Sequence, residues 1–269
     1  MGRDNLFRKI LKNINLLRDE GYIINDFGNK IFYTLNINYF SKKLVIVCHG
    51  SRSSQKHKLI KFLSDKLRWK YNVVRFDFNG RGKSEGKLED STYSKDIEDL
   101  KRMLNKFKGT FEIYCVIGHS KAASELIIFF SKYFEEFSFV KNLVLIAPRI
   151  NLLESEEYNE FLKHQESFEK QKYFIFHDDE KNIDNKITLN YIEDLKKYSD
   201  LSEEFKKEIS IRTLVIHGKS DEVIKFDSIN KLQEVSPYDF EFIENGTHSF
   251  KDKKTKKELF KRMKNWLYY

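Results

Sequence analysis

Three residues far apart in the chain carry the chemistry open to this sequence: a serine in "CVIGHSKAAS" (115–124), an aspartate in "HGKSDEVI" (217–224) and a histidine in "ENGTHSF" (244–250). A serine hydroxyl is a weak nucleophile until a neighbouring base takes its proton, and the base keeps its tautomer only if an acid orients it. Ser120 follows an apolar run and opens a helix-like segment, with Gly118 two residues before it and Ala122 two after. A side chain raised on a tight strand-to-helix turn needs small neighbours at those places, because strand and helix pass close together. The same local pattern suits an ordinary connection, so the deciding question is whether a base and an acid can reach it. Asp221 lies in the turn after the next-to-last apolar run and His248 in the loop after the last one. Serine, aspartate and histidine then sit in chain order, each at the carboxyl end of a strand-like run.

Other carboxylates and imidazoles fit less well. Asp77 belongs to the turn "DFNGRGKSEG", which should pack beside the site; Asp178 and Asp179 fall in a separate hairpin, and Glu222 is expected to point away from Asp221. His119 is inside the serine's own turn and cannot swing back to its neighbour's hydroxyl. His49 and His217 end strands next to glycines, where a structural hydrogen bond is expected, and His57, His164 and His177 have no partner pattern. No His or Cys spacing suggests a metal site, and no cofactor is expected. An oxyanion forming at a carbonyl needs hydrogen-bond donors. The expected pair is the backbone N–H of Lys121, which follows the serine, and that of Ser51 in "VCHGSRSS", where Gly50 lets the chain turn in close.

These residues need a scaffold that brings strand ends to one rim. From residue 44 onward "LVIVC", "NVVRFDF", "FEIYCVI" and "NLVLIA" alternate with helical patterns near 55–68, 92–107 and 121–132. Short apolar strands buried on both faces, with a helix between each pair, are what a parallel sheet covered on both sides requires. The sheet resumes with "RTLVIHG", a helix near 226–235, "DFEFIE" and a closing helix. Before this core come an amphipathic helix over 4–18 and a hairpin, "GYIIN" and "KIFYTLNINYF", turning at "DFGN". The expected fold class is α/β, with a mostly parallel central sheet and helices on both faces. Residues 1–150 and 209–269 form its core. Residues 151–208 break the alternation and, being too long for a structureless loop, are expected to form an inserted cap with a hairpin, "KYFIF" and "NKITL", and short helices.

The chain has 269 residues, 40% of them hydrophobic, and a formal charge of +8. That balance invites a nucleic-acid partner, yet in "KDKKTKKELFKR" and the residues just after it Leu259, Phe260, Met263 and Leu267 recur at helical spacing, so the lysines read as the wet face of a helix and no nucleic acid is expected. No run approaches the roughly 18 apolar residues that span a bilayer. The start "MGRDNLF" is too charged for a secretory signal, and Leu6 stands where a myristoylation motif at Gly2 wants Ser or Thr. Cys48 and Cys115 lie in apolar runs and read as buried free thiols, which points to the cytoplasm.

Taken together, "VCHGSRSS", "VVRFDFNGRGKSEG", "IGHSKAAS", "LVIHGKSDEVI" and "NGTHSF" resemble the α/β-hydrolase superfamily, most closely its serine aminopeptidase-like branch with feruloyl (cinnamoyl) esterase-like and monoacylglycerol lipase-like members. The resemblance runs from about residue 20 to the C-terminus. It implies Ser120 as nucleophile, His248 as base, Asp221 as orienting acid and Ser51 with Lys121 at the oxyanion hole. Ala122 replaces the usual second glycine of the turn, Ser51 stands where an apolar residue is common, and Lys121 is unusual beside a lipase nucleophile. The expected activity is cleavage of a small-molecule ester or thioester of short to medium acyl chain. Amide or aminopeptidase chemistry, acyl transfer to an alcohol and a silent binding module stay open, as does the oligomeric state. The aromatics Tyr158, Phe161, Phe168, Tyr173, Phe174, Phe176 and Tyr191 are expected in the cap, as its core or as a roof over the acyl pocket.

Overall fold

The computed structural model of the protein describes residues 17–178, 183–207 and 209–268. Eight strands form one sheet in the order β1-β2-β4-β3-β5-β6-β9-β10. β1 (Arg18–Ile24) and β2 (Lys30–Asn36) make the expected antiparallel hairpin, and β2 is also antiparallel to β4 (Asn72–Phe76). From β4 through β3 (Lys43–Cys48), β5 (Glu112–His119), β6 (Asn142–Ile146), β9 (Arg212–Gly218) and β10 (Asp239–Ile243) every pairing is parallel. The helix expected over 4–18 falls on residues 4–16, outside the described ones, and on Leu17 and Arg18 at the start of β1.

Side chains alternate across a strand, and both faces of this sheet are apolar. Val45, Val47, Val73, Ile117 and Ile146 meet helix α1 (Lys58–Leu67) and the closing helix α9 (Lys253–Tyr268) through Leu59, Leu63, Leu259 and Met263. Leu44, Ile46, Val74, Val116 and Leu145 meet α2 (Tyr93–Phe107) and α3 (Lys121–Phe137) through Leu100, Met103, Leu126 and Phe130 on the other side. In α9 the buried positions are Thr255, Leu259, Met263 and Leu267, which leaves most of its lysines toward water as the spacing suggests. Asp252 caps this helix by accepting from the amides of Lys254 and Thr255.

Two helix ends differ from expectation. α3 runs on to Phe137 because that ring is fully buried in the core; its regularity is interrupted at Tyr133, with φ −121° and ψ 17°. The helix expected near 226–235 is only α8, Phe226–Asn230. A proline downstream works against extending it: the residue before a proline is biased away from helix, here Ser236 ahead of Pro237, and the exposed Val235 adds no buried contact that would draw the helix on.

Between β6 and β9 the chain forms α4 (Glu156–Lys163), α5 (Gln165–Gln171), an isolated hairpin of β7 (Tyr173–Asp178) and β8 (Ile183–Thr188), α6 (Leu189–Lys197) and α7 (Ser202–Lys206). Asp179, expected in the hairpin, lies outside the described residues. Phe168, Ile187 and Ile192 make a small core of their own, with Tyr158, Phe161, Phe174 and Tyr191 packed around it. Polar contacts join this segment to the sheet-bearing part: Asp194 accepts from the Ser94 hydroxyl at 2.6 Å and amide at 2.9 Å, and Arg52 pairs with Glu156 at 2.9 Å.

Candidate functional site

Ser120 stands between β5 and α3 with φ 55° and ψ −125°. A side-chain-bearing residue rarely adopts a positive φ, so the surroundings must hold it there. Its amide donates to the Ile146 carbonyl at 2.8 Å, and its own carbonyl accepts from Ala123 at 2.8 Å, which fixes the turn at both ends. A Cβ on Gly118 would stand 2.7 Å from the Ala122 carbonyl oxygen and 2.7 Å from the Ala123 nitrogen, so only glycine fits where the helix crosses the strand. Ala122 is accommodated although it is not glycine; it is buried in the main core.

The residues beyond β9 and β10 converge on this serine. His248 Nε2 is 3.0 Å from Ser120 Oγ, and His248 Nδ1 is 2.9 Å from Asp221 Oδ2. The Asp221 carboxylate is fully buried, and its other oxygen accepts from the amides of Val223 and Ile224, both at 2.8 Å. Burial alone would raise this carboxyl; the hydrogen bond and charge of His248 and the Ile224 amide outweigh it and hold the group below its ordinary value. The two turns fit because Gly218 and Gly246 touch: a Cβ on Gly218 would lie 2.1 Å from the Gly246 carbonyl oxygen.

Neighbours of these three residues hold the surrounding turns in place. Glu222 accepts from the His248 amide at 2.9 Å, so it braces the histidine loop although it does not touch the imidazole. His119 Nε2 lies 2.9 Å from the His248 carbonyl, and its ring stacks on His57 at 5.7 Å. His49 has its Nδ1 2.9 Å from the Gly50 carbonyl and its Nε2 accepting from the Phe78 amide at 3.2 Å, the structural role expected of it. Its pKa is pushed down to about 3 by burial and by the Arg81 charge; that of His119 is also about 3, through burial and the nearby His248. His217, fully buried, reaches the Ile224 carbonyl at 3.0 Å and stands 3.5 Å from Asp221 Oδ2. Asp77 is occupied by the amides of Gln55 at 2.6 Å and Lys83 at 3.0 Å, so it organises its own turn. His164 stacks on Phe174 at 3.9 Å, away from the serine's partners. Among the described residues no group of three or more His, Cys, Asp or Glu side chains could hold a metal ion.

Gly50 brings the turn after β3 against the serine: a Cβ there would sit 3.0 Å from Ser120 Cβ. Ser51 and Lys121, the two expected oxyanion-hole residues, line one cavity with Arg52, Arg81, Glu157 and Tyr191. As the first residue of α3, Lys121 has an amide with no carbonyl one turn earlier in the helix to bond. Its side chain forms something the motif reading missed. The ammonium is buried and bonds Asp96 at 2.5 Å and Glu125 one turn on, while Arg81 reaches the same Asp96 carboxylate at 2.7 Å. Burial would raise the Asp96 carboxyl, but Arg81 and Lys121 hold it down at about 2, whereas burial pushes the Glu125 carboxyl well up. The signal was present as a lysine and a glutamate four apart on an otherwise apolar helix face. Of the aromatics expected in a cap, Tyr191 lines the cavity as well as the segment's own core, and Tyr158, Phe161, Phe168 and Phe174 belong to that core.

The comparisons with known proteins agree with this architecture. Among curated proteins none matches the chain. Among solved structures the chain is similar to Est1E from Butyrivibrio proteoclasticus with ferulic acid bound, at 18% identity and a TM-score of 0.73 over 92% of this chain and 97% of that one. It is similar to alpha/beta hydrolase domain-containing protein 10 from mouse, at 16% identity and a TM-score of 0.73 over 93% and 98%. It is also similar to the esterase Pf2001 of Pyrococcus furiosus, at 21% identity and a TM-score of 0.67 over 95% and 91%. At these identities the likeness establishes the fold. The family described as serine aminopeptidase, S33, matches residues 40–251, a stretch that holds Ser51, Ser120, Asp221 and His248. With its mostly parallel sheet, its helices on both faces and that match, the chain belongs to the serine aminopeptidase S33 family of α/β hydrolases.

Proposed function

We propose that the protein is a serine hydrolase that cleaves a carboxylic ester or thioester through an acyl-enzyme on Ser120. The observation that carries this reading is the hydrogen-bonded line from Asp221 through His248 to Ser120 Oγ, with the serine held at a positive φ. In this reading His248 takes the hydroxyl proton as Ser120 Oγ bonds to the carbonyl carbon, and returns it to the leaving alcohol as the ester C–O bond breaks. Water then attacks the acyl-enzyme, again giving its proton to His248, and the acid departs as Ser120 regains its hydrogen. Asp221 keeps the proton-bearing Nδ1 fixed and stabilises the imidazolium. The backbone amides of Ser51 and Lys121 serve as donors to the developing oxyanion. Residues 151–208 act as a cap beside the acyl site, with Arg52 and Tyr191 at the junction. We place the protein in the cytoplasm on its two buried free cysteines, Cys48 and Cys115.

Ethyl and p-nitrophenyl esters from acetyl to palmitoyl, with methyl ferulate, test this reading. Turnover should be fastest on short or medium acyl chains and fall by about 10⁶ in Ser120→Ala. Retention of most esterase activity by that variant would show that another group is the nucleophile, and fastest turnover on palmitoyl esters would overturn the chain-length assignment.

A further inference from the structure

Three connections meet at one corner of the rim opposite Ser120, where β3 and β4 begin. The turn from β2 to β3 carries Tyr39 and Phe40, 59% and 69% exposed, the link from α1 to β4 carries Trp69, 52% exposed, and α9 ends at Tyr268, 44% exposed. Hydrogen bonds and a ring contact hold these connections together. The Asn38 side-chain amide donates to the Arg68 carbonyl at 3.2 Å and that of Asn72 to the Ser41 carbonyl at 2.7 Å, while the Lys70 ammonium stands 3.3 Å from the centre of the Tyr268 ring. Exposed aromatic rings gathered in this way mark a contact surface.

The charge around the rings decides which partner fits. Lys42, Lys43, Lys66, Lys70 and Lys264 come from the same stretches of chain, and among the described residues none of them forms an ion pair. The same corner holds Asp65, four residues before Trp69, and Glu112, opposite Lys43 in the β3–β5 pairing, so the cations outnumber the carboxylates. Burial and the charges of Lys43 and Lys264 hold the Lys70 ammonium below its ordinary value, which means that these cations repel one another. An anionic surface relieves that repulsion. A second copy of this chain docked by the same corner would add to it. Nucleic-acid strands stack their bases on open ring faces, and Lys70 covers one face of Tyr268. A bilayer interface instead accepts aromatic rings at headgroup level beside lysines that face anionic lipid. No described helix is long and apolar enough to cross a membrane, so the contact is with the surface.

We propose that this corner docks the protein on an anionic lipid surface, with Tyr39, Phe40 and Trp69 entering the interface and the lysines facing the lipid headgroups. The parallel strands begin at this rim and end at that of Ser120, so the docked protein keeps the serine's rim open to water. The test sediments the full chain with vesicles of phosphatidylcholine alone and of phosphatidylcholine with about 30% phosphatidylserine, at about 0.1 M salt, where a surface charge is felt over roughly 10 Å. Partition onto the phosphatidylserine vesicles should exceed that onto phosphatidylcholine by about tenfold or more. It should fall by about tenfold both in Phe40→Ser with Trp69→Ser and in Lys42→Glu with Lys66→Glu, because rings and charges act together. The urea midpoint of both double variants should stay near that of the wild type, since these side chains are exposed. No sedimentation with either vesicle, equal partition onto both, or undiminished partition in either double variant overturns the proposal. So does a labelled single-stranded oligonucleotide that binds at the same salt while the vesicles do not. Should a double variant not fold, the wild-type comparison of the two vesicle compositions decides.

Discussion

At the scale of single residues, the site combines groups that touch the serine with others that hold those groups. Glu222 is of the second kind, since it meets the His248 amide and not the imidazole. Glu222→Ala should lower kcat about tenfold with little change in KM, a misplacement effect on a positioned base. Glu222→Gln keeps an acceptor oxygen and should restore most of the rate; equal losses in both variants would mean that the charge, and not the hydrogen bond, matters. Ser120, Asp221 and His248 were legible in the sequence because each follows an apolar run and their order matches the strand ends. Arg81 and Asp96 were not, because their significance depends on the turn after β4 and on α2 packing against α3, which local patterns do not encode; of that cluster only the spacing of Lys121 and Glu125 was visible. Glu222 was passed over for the same reason: its partner is a backbone amide 26 residues later.

At the scale of elements, the site depends on close approaches that only glycine allows. The Gly218–Gly246 contact seats the Asp221 turn against the His248 turn. Gly218→Ala would force those loops apart and should cost about 1–3 kcal/mol of stability, as overpacking does, measured by urea unfolding, with esterase activity falling at the same time. A variant of wild-type stability and full activity would show that the two turns are free to shift. The strands and most helices were readable from apolar runs and helical spacing. Boundaries set by tertiary packing were less so: α3 is carried to Phe137 by a buried ring, and α8 ends early ahead of Pro237.

For the whole molecule, burying imidazoles around the site ties folding to pH. His49 and His119 have pKa values near 3 in the fold against an ordinary value of 6.5, and burial lowers His217 as well. Unfolded chains bind protons at these histidines below about pH 6.5 and the folded protein does not, so this contribution is fully present above that pH and is lost as the pH falls toward 3. Asp99, pushed up to about 7 by burial and by Asp96, and Glu125, pushed well up by burial, work in the opposite sense, because the folded form binds their protons first. The three histidines outnumber these two carboxyls, and the urea midpoint should therefore drop from pH 6.5 to 4.5. A midpoint that is flat or rises over this interval would contradict the assigned burial of these rings. Two-sided packing of the sheet was evident from composition and alternation; the crowding of His57, His119 and His217 near His248 was not, since these residues come from separate strand ends and loops.

The central claim is that one hydroxyl, activated by His248, forms the covalent bond to substrate. A fluorophosphonate probe followed by mass spectrometry of the digested protein addresses it directly. The account predicts one adduct per chain, on the peptide containing Ser120, absent in Ser120→Ala and formed far more slowly in His248→Ala. Labelling at another residue, or labelling of Ser120 at an unchanged rate once His248 is removed, would contradict it.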